Sequence, residues 1–211
     1  MKHMFSTRLC AALVLAAGLA AGVPAFSAAQ DAAETVERIE DYLGSLRTIE
    51  SDFIQSSSNG DFARGRLYVE RPDSMRLDYQ PPSTLQIYVN GSWLIYIDTE
   101  LEEVTHVPLS RTPAAFLVGD KVSLSDEVQV AGIGMDAETI RVELVRSEDP
   151  EAGSVILTFG RNPLVLRNWV VIDPKGVRTR VALVRPSFNR SIDRSVFDFD
   201  PDRYIRPQTD Q

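Results

Sequence analysis

From residue 50 onward the apolar side chains recur at every second position, and a fold dominated by helices cannot accommodate that pattern. Leu67 and Val69 alternate with Arg66, Tyr68 and Glu70. Met75, Leu77 and Tyr79 alternate with Arg76 and Asp78, and Leu85, Ile87 and Val89 with Gln86 and Tyr88. Successive side chains of a strand point to opposite faces, so each run offers one face to a core and one to solvent. Asn90-Gly91 lies between Leu85–Val89 and Trp93–Ile97. It is the strongest short hairpin signal available. Val104–Val107, Val128–Val130, Ile140–Val145, Val155–Phe159, Leu164–Ile172 and Val177–Val184 read as further strands, with Asp173-Pro174-Lys175-Gly176 as the turn between the last two. Many short strands joined by tight turns, without a βαβ rhythm, predict a mainly β fold: one antiparallel sheet curled into a barrel or half-barrel.

Two segments carry the helical period instead. Val36, Ile39, Leu43 and Leu46 recur at helical spacing with Tyr42 beside them, opposite an acidic face of Glu34, Glu37, Glu40 and Asp41. Asp31 followed by Glu34 resembles a capping box and predicts that this helix starts at Asp31. Between strands, Thr112-Pro113 precedes Ala114-Ala115-Phe116-Leu117-Val118. Thr as N-cap and Pro at the first helical position predict a short apolar helix there.

The N-terminus reads as a secretory signal peptide over residues 1–29. Lys2 and Arg8 precede or open an apolar run from Leu9 to Val23, and Pro24 and the small-residue stretch Ala25-Phe26-Ser27-Ala28-Ala29 follow. Residues 30–211 are then expected to form a single domain in the periplasm. Cys10 precedes the apolar run instead of closing it, which argues against a lipidation cysteine. Cleavage removes it, leaving a mature chain without thiol chemistry. The mature chain holds 20 basic against 30 acidic residues. Such an acidic balance argues against nucleic-acid binding, which needs clustered cations. The distribution is uneven, with 10 basic and 24 acidic residues over 28–160 but 10 basic and 6 acidic over 161–211.

Little in this chain points to catalysis. The mature chain keeps one histidine, His106, placed in a strand with no motif around it. A hydrolase nucleophile needs a base to activate it. Glu100, Glu102 and Glu103 cluster on a hairpin, where carboxylates are usually solvated, and no spacing suits a metal. Gly132-Ile133-Gly134 is too short for a dinucleotide loop. Asn90-Gly91-Ser92 and Asn189-Arg190-Ser191 match the glycosylation sequon without meaning in a bacterial export. Carboxylates are numerous enough for a glycosidase pair, yet Trp93 and Trp169 alone are thin for a sugar cleft. The expectation is a protein that is not an enzyme, with no catalytic residues, cofactor or metal.

Five features, in order, resemble the periplasmic outer-membrane lipoprotein carrier (LolA) family. They are Phe53-Ile54-Gln55 after the first helix; Gly65-x-Leu67-x-Val69-x-Arg71-Pro72; Pro81-Pro82 followed by Leu85 to Asn90-Gly91 and Leu94-x-Tyr96; Thr112-Pro113 with Phe116-Leu117; and Phe197-Asp198-Phe199. The resemblance runs from the first helix to about Phe199. Asp200-Pro201-Asp202-Arg203 stands where the family often has Pro-Pro-Gly. The resemblance implies an open, unclosed antiparallel β-barrel of roughly 11 strands, covered by a helical lid. It implies that the apolar interior takes the acyl chains of lipoproteins from an inner-membrane lipoprotein-releasing ABC transporter and hands them to an outer-membrane lipoprotein receptor where one exists. Arg71 corresponds to the arginine that latches the lid through backbone carbonyls. By alternation, Leu67, Val69, Met75, Leu77, Leu85, Ile87 and Val89 are the expected cavity lining; Ile39, Leu43, Leu46, Phe116 and Leu117 are the expected lid residues. The carrier is expected to act as a monomer. The alternative is a periplasmic regulatory module with the same barrel that senses lipid or lipoprotein.

Overall fold

A computed structural model describes residues 25–112, 114–119 and 128–200. Helix α1 (Ala25–Ser45) leads into strands β1 (Thr48–Ser57), β2 (Phe62–Glu70), β3 (Ser74–Tyr79), β4 (Leu85–Asn90), β5 (Trp93–Asp98) and β6 (Glu103–Pro108). A 3-10 turn (Leu109–Arg111) and the short helix α2 (Ala115–Val118) follow. The chain then adds β7 (Val128–Met135), β8 (Thr139–Arg146), β9 (Ser154–Arg161), β10 (Leu164–Ile172) and β11 (Arg178–Phe188). All eleven strands form one antiparallel sheet in the order β6-β5-β4-β3-β2-β1-β11-β10-β9-β8-β7. The first and last strands pair at its centre, and β6 and β7, consecutive in the chain, are its two edges. The barrel is therefore unclosed, as the family resemblance implies.

The alternation sorts cleanly by face. Register aligns Leu67 with Leu77 and Leu77 with Ile87, and aligns Ile49, Val69, Met75, Val89 and Leu94 across five strands. These residues share the concave face with Ile140, Val142, Leu157, Phe159 and Leu166, and all are buried there. Gly65 is dictated by its neighbours. A Cβ there would lie 2.2 Å from the Asp78 carbonyl and 2.8 Å from the Phe53 ring, which packs edge-on against Tyr79 at 5.1 Å.

Several local expectations are corrected. Helix α1 begins at Ala25, so Asp31 lies inside it and caps nothing; instead its carbonyl accepts a bond from the Thr35 hydroxyl at 2.7 Å. The alanine-rich stretch read as a cleavage region has high helix propensity and carries the helix through. Leu46, expected on the helix, lies just past its end but is buried. Thr112 is not the N-cap of α2; Ala114 is, and the Thr112 hydroxyl donates to the Leu109 carbonyl at the end of the 3-10 turn. Pro113 lies outside the described residues. Strand β7 runs on through Gly132-Ile133-Gly134 to Met135. Strand β11 starts at Arg178 and extends to Phe188, past a bulge opposite Glu50 and Asp52 where Arg185 takes a φ of 53°.

The C-terminal segment packs on the convex side. Phe199 meets Tyr88 at 5.6 Å and forms a second apolar cluster with Ile95, Ile97 and Val104. Arg76 donates to the Val196 carbonyl at 3.1 Å, and Arg194 pairs with Glu70 at 3.0 Å.

Candidate functional site

Both helices sit against the concave face. Thr35, Ile39 and Leu43 form the buried stripe of α1, spaced one helical turn apart. Tyr42 ties α1 to β10: its hydroxyl accepts the Leu166 amide at 3.0 Å, and its ring meets Phe159 edge-on at 5.9 Å. Burial pushes this phenol above its ordinary pKa, against the lowering effect of the Leu166 bond. At the end of α1, Asn189 takes a φ of 55°. Its side-chain oxygen accepts the Arg47 amide at 2.7 Å, and its nitrogen donates to the Ser45 carbonyl at 3.2 Å. Helix α2 buries Leu117 and Val118, and Phe116 meets Trp169 edge-on at 6.0 Å.

Arg71 follows the last residue of β2 and is buried. Its guanidinium donates to the Leu43 carbonyl in the last turn of α1 and to the Gly119 carbonyl that ends α2, the Nε bond to Gly119 measuring 3.0 Å. Helix C-termini leave carbonyls unpaired, and a guanidinium has five donors in a fixed fork. One side chain at the end of a strand therefore binds the last turns of both covering helices. A parallel backbone bond runs from the Asp73 amide to the Val118 carbonyl at 3.0 Å.

The residues expected to line a cavity are packed. Leu67, Val69, Met75, Leu77, Ile87 and Val89 are buried and Leu85 is half-buried, in one cluster with Ile39, Leu43, Leu46 and Leu117. None of them is among the residues that line the cavity beneath α2. Among the described residues, that cavity of about 580 Å³ lies between α2 and strands β8, β9 and β10. Phe116, Val128, Leu144, Val155 and Val171 form its apolar wall, while Arg111, Arg146, Glu148 and Asp173 stand among the polar residues lining it. Its volume is in the range of small-molecule and cofactor sites. Sequence reasoning names Phe116 but misses the other four. The signal is present: Val142 and Leu144, Val155 and Leu157, and Trp169 and Val171 alternate as plainly as the residues of β2–β4.

His106 is exposed on the convex side, with Trp93 at 6.3 Å and Phe199 at 6.4 Å. No group of three His, Cys, Asp or Glu among the described residues is placed to hold a metal ion. No helix among them is long and apolar enough to cross a membrane.

Comparison with known proteins agrees with the architecture. Residues 44–200 match the family described as outer membrane lipoprotein carrier protein LolA. The chain is 28% identical over 173 residues to the outer-membrane lipoprotein carrier protein of Methylococcus capsulatus, covering 78% of this chain and 82% of that one. It is 28% identical over 213 residues to its namesake from Chromobacterium violaceum, covering 97% of each. Among solved structures, a conserved protein from Thermus thermophilus shares the fold with a TM-score of 0.51 and 12% identity, over 83% of this chain and 98% of that one. With the matched span reaching from the last turn of α1 to the C-terminal segment, the chain belongs to the LolA family of outer-membrane lipoprotein carrier proteins.

Proposed function

We propose that this chain carries lipoproteins through the periplasm, with their acyl chains sheltered beneath α2. It receives them from an inner-membrane lipoprotein-releasing ABC transporter and delivers them to the outer membrane, to a receptor where one exists. Residues 1–29 direct export and residues 30–211 act as one carrier domain without catalysis. The observation that supports this reading best is the joint geometry of Arg71 and the cavity. An apolar space about 580 Å³ in volume opens under α2, and α2 is tied to α1 by one side chain. Burying acyl carbon stabilises by about 0.8 kcal/mol per CH₂, so lipid tails do not cross water unaided. Hydrogen bonds from a charged donor contribute about 1.5–3 kcal/mol each. That suffices to hold the helices over an empty interior but is small against a whole incoming chain. Entry of cargo displaces α2, which opens the packed side chains of β2–β4, including Leu67, Leu77 and Ile87, to the ligand. Departure lets the Arg71 bonds re-form.

The latch thus assists release as much as closure, and Arg71→Leu tests it. The variant should still accept lipoprotein from inner membranes, yet retain it when outer membranes are added. The fraction of lipoprotein left on the carrier is the measurement. Release equal to that of the unaltered protein would leave Arg71 with a purely structural role.

A further inference from the structure

The two edges of the open sheet are built differently. Strand β6 carries Glu103 and ends on Pro108, the kinds of residue by which natural edge strands repel a further strand. Strand β7 has neither charge nor proline in its eight residues. Its pairing with β8 uses one side of its backbone; on the other side no backbone hydrogen bond to β7 occurs among the described residues. Beyond a bulge between Val130 and Gly132 the pairing with β8 is regular from Gly132 to Met135, where the Thr35 hydroxyl of α1 reaches the Met135 sulfur at 3.9 Å. Such an edge is a template for strand addition.

Its position says what would add to it. Val128, the first residue of β7, lines the cavity, as does its register partner Arg146. An acyl chain held there brings its point of attachment to the end of the sheet where β7 begins. The polypeptide bonded to that lipid emerges beside a strand whose outer side makes no backbone hydrogen bond among the described residues. Main-chain pairing reads no sequence, since pockets for side chains supply specificity in strand addition. Gly132 and Gly134 offer no such pockets and leave space where a Cβ would stand. That suits a carrier whose cargoes share a lipid and differ in sequence.

We propose that the β7 edge pairs, as an added strand, with the extended polypeptide that follows the lipid-modified N-terminal residue of the cargo. The proposal rests on the carrier reading and deepens it. Three synthetic lipopeptides test it on the full mature chain: a triacylated cysteine followed by a single serine, the same lipid followed by ten polar residues, and that longer peptide with alternate amides N-methylated. Binding of the long lipopeptide should slow amide hydrogen exchange across Val128–Met135 about tenfold or more. The short and N-methylated forms should bind without that protection, and about tenfold more weakly than the long form. If the short lipopeptide binds but β7 exchange is the same with all three, the edge does not pair with cargo and the inference is overturned. It is equally overturned if β7 is protected before any lipopeptide is added and sedimentation shows a dimer, for then a second copy occupies the edge. If no lipopeptide binds at all, the carrier reading itself fails.

Discussion

Beside the apolar packing, three side chains hydrogen-bond the covering helices to the sheet or to the residues flanking its strands, and each does so through backbone groups. Arg71 gathers the ends of α1 and α2, Asn189 caps α1, and Tyr42 holds it to β10. Only Arg71 is named from the sequence, as what the family resemblance at Gly65-x-Leu67-x-Val69-x-Arg71-Pro72 implies. Asn189 reads there as a meaningless glycosylation sequon; its worth depends on a left-handed backbone that asparagine tolerates better than most residues. Tyr42 reads as one more apolar helix residue, since nothing local reveals that its hydroxyl reaches a strand 124 positions away. Tyr42→Phe removes that acceptor and leaves the buried Leu166 amide without its partner. Urea unfolding should show a loss of about 1–3 kcal/mol; an unchanged midpoint would mean the bond adds nothing.

At the scale of elements, strands are easier to read than helix ends. The period-two pattern persists along β2–β5, and the hairpin lies where Asn90-Gly91 marks it, but its two-residue loop is Gly91-Ser92, with Asn90 paired to Trp93 and Gly91 at a φ of 59°. The start of α1 is misread because a cap signal at Asp31 competes with a helix-forming run before it. The location of the cavity is not legible at all. Leu77 and Leu144 alternate alike and both are buried, and only the packing of the helices decides that Leu144, not Leu77, lines the cavity. Two elements yield tests. Gly65→Ala forces a Cβ against the Asp78 carbonyl and the Phe53 ring and should destabilise the fold by about 1–3 kcal/mol in denaturant unfolding. The β7–β8 hairpin turns on Asp136. The Thr139 hydroxyl, the Glu138 and Thr139 amides and Arg141 hold its carboxyl down to about 2. A carboxyl depressed in the folded state contributes stability above its unfolded value of about 3.9 and loses it as pH falls through the folded one. Asp136→Asn should therefore lower the thermal midpoint at pH 7, and the gap should close near pH 2. A gap independent of pH would assign its effect to something other than the ionised carboxylate.

The whole molecule is a sheet that stops short of closing, with two helices packed on its concave side and a cavity between α2 and strands β8–β10. Its convex side carries the C-terminal segment and the exposed rings of Trp93 and His106. That division places the protein's two tryptophans on opposite sides. Trp169 is 6% exposed, packs against Phe116 of α2 and lies two residues from Val171 in the cavity wall. Trp93 is 48% exposed on the outside. Quenching of tryptophan fluorescence by a lipopeptide with nitroxide-labelled acyl chains tests carriage in the cavity most directly. In Trp93→Phe, where Trp169 alone emits, the bound probe should quench strongly. In Trp169→Phe, where Trp93 alone emits, it should quench little. Equal quenching of the two, or quenching of Trp93 alone, would place the acyl chains outside the cavity and contradict carriage beneath α2.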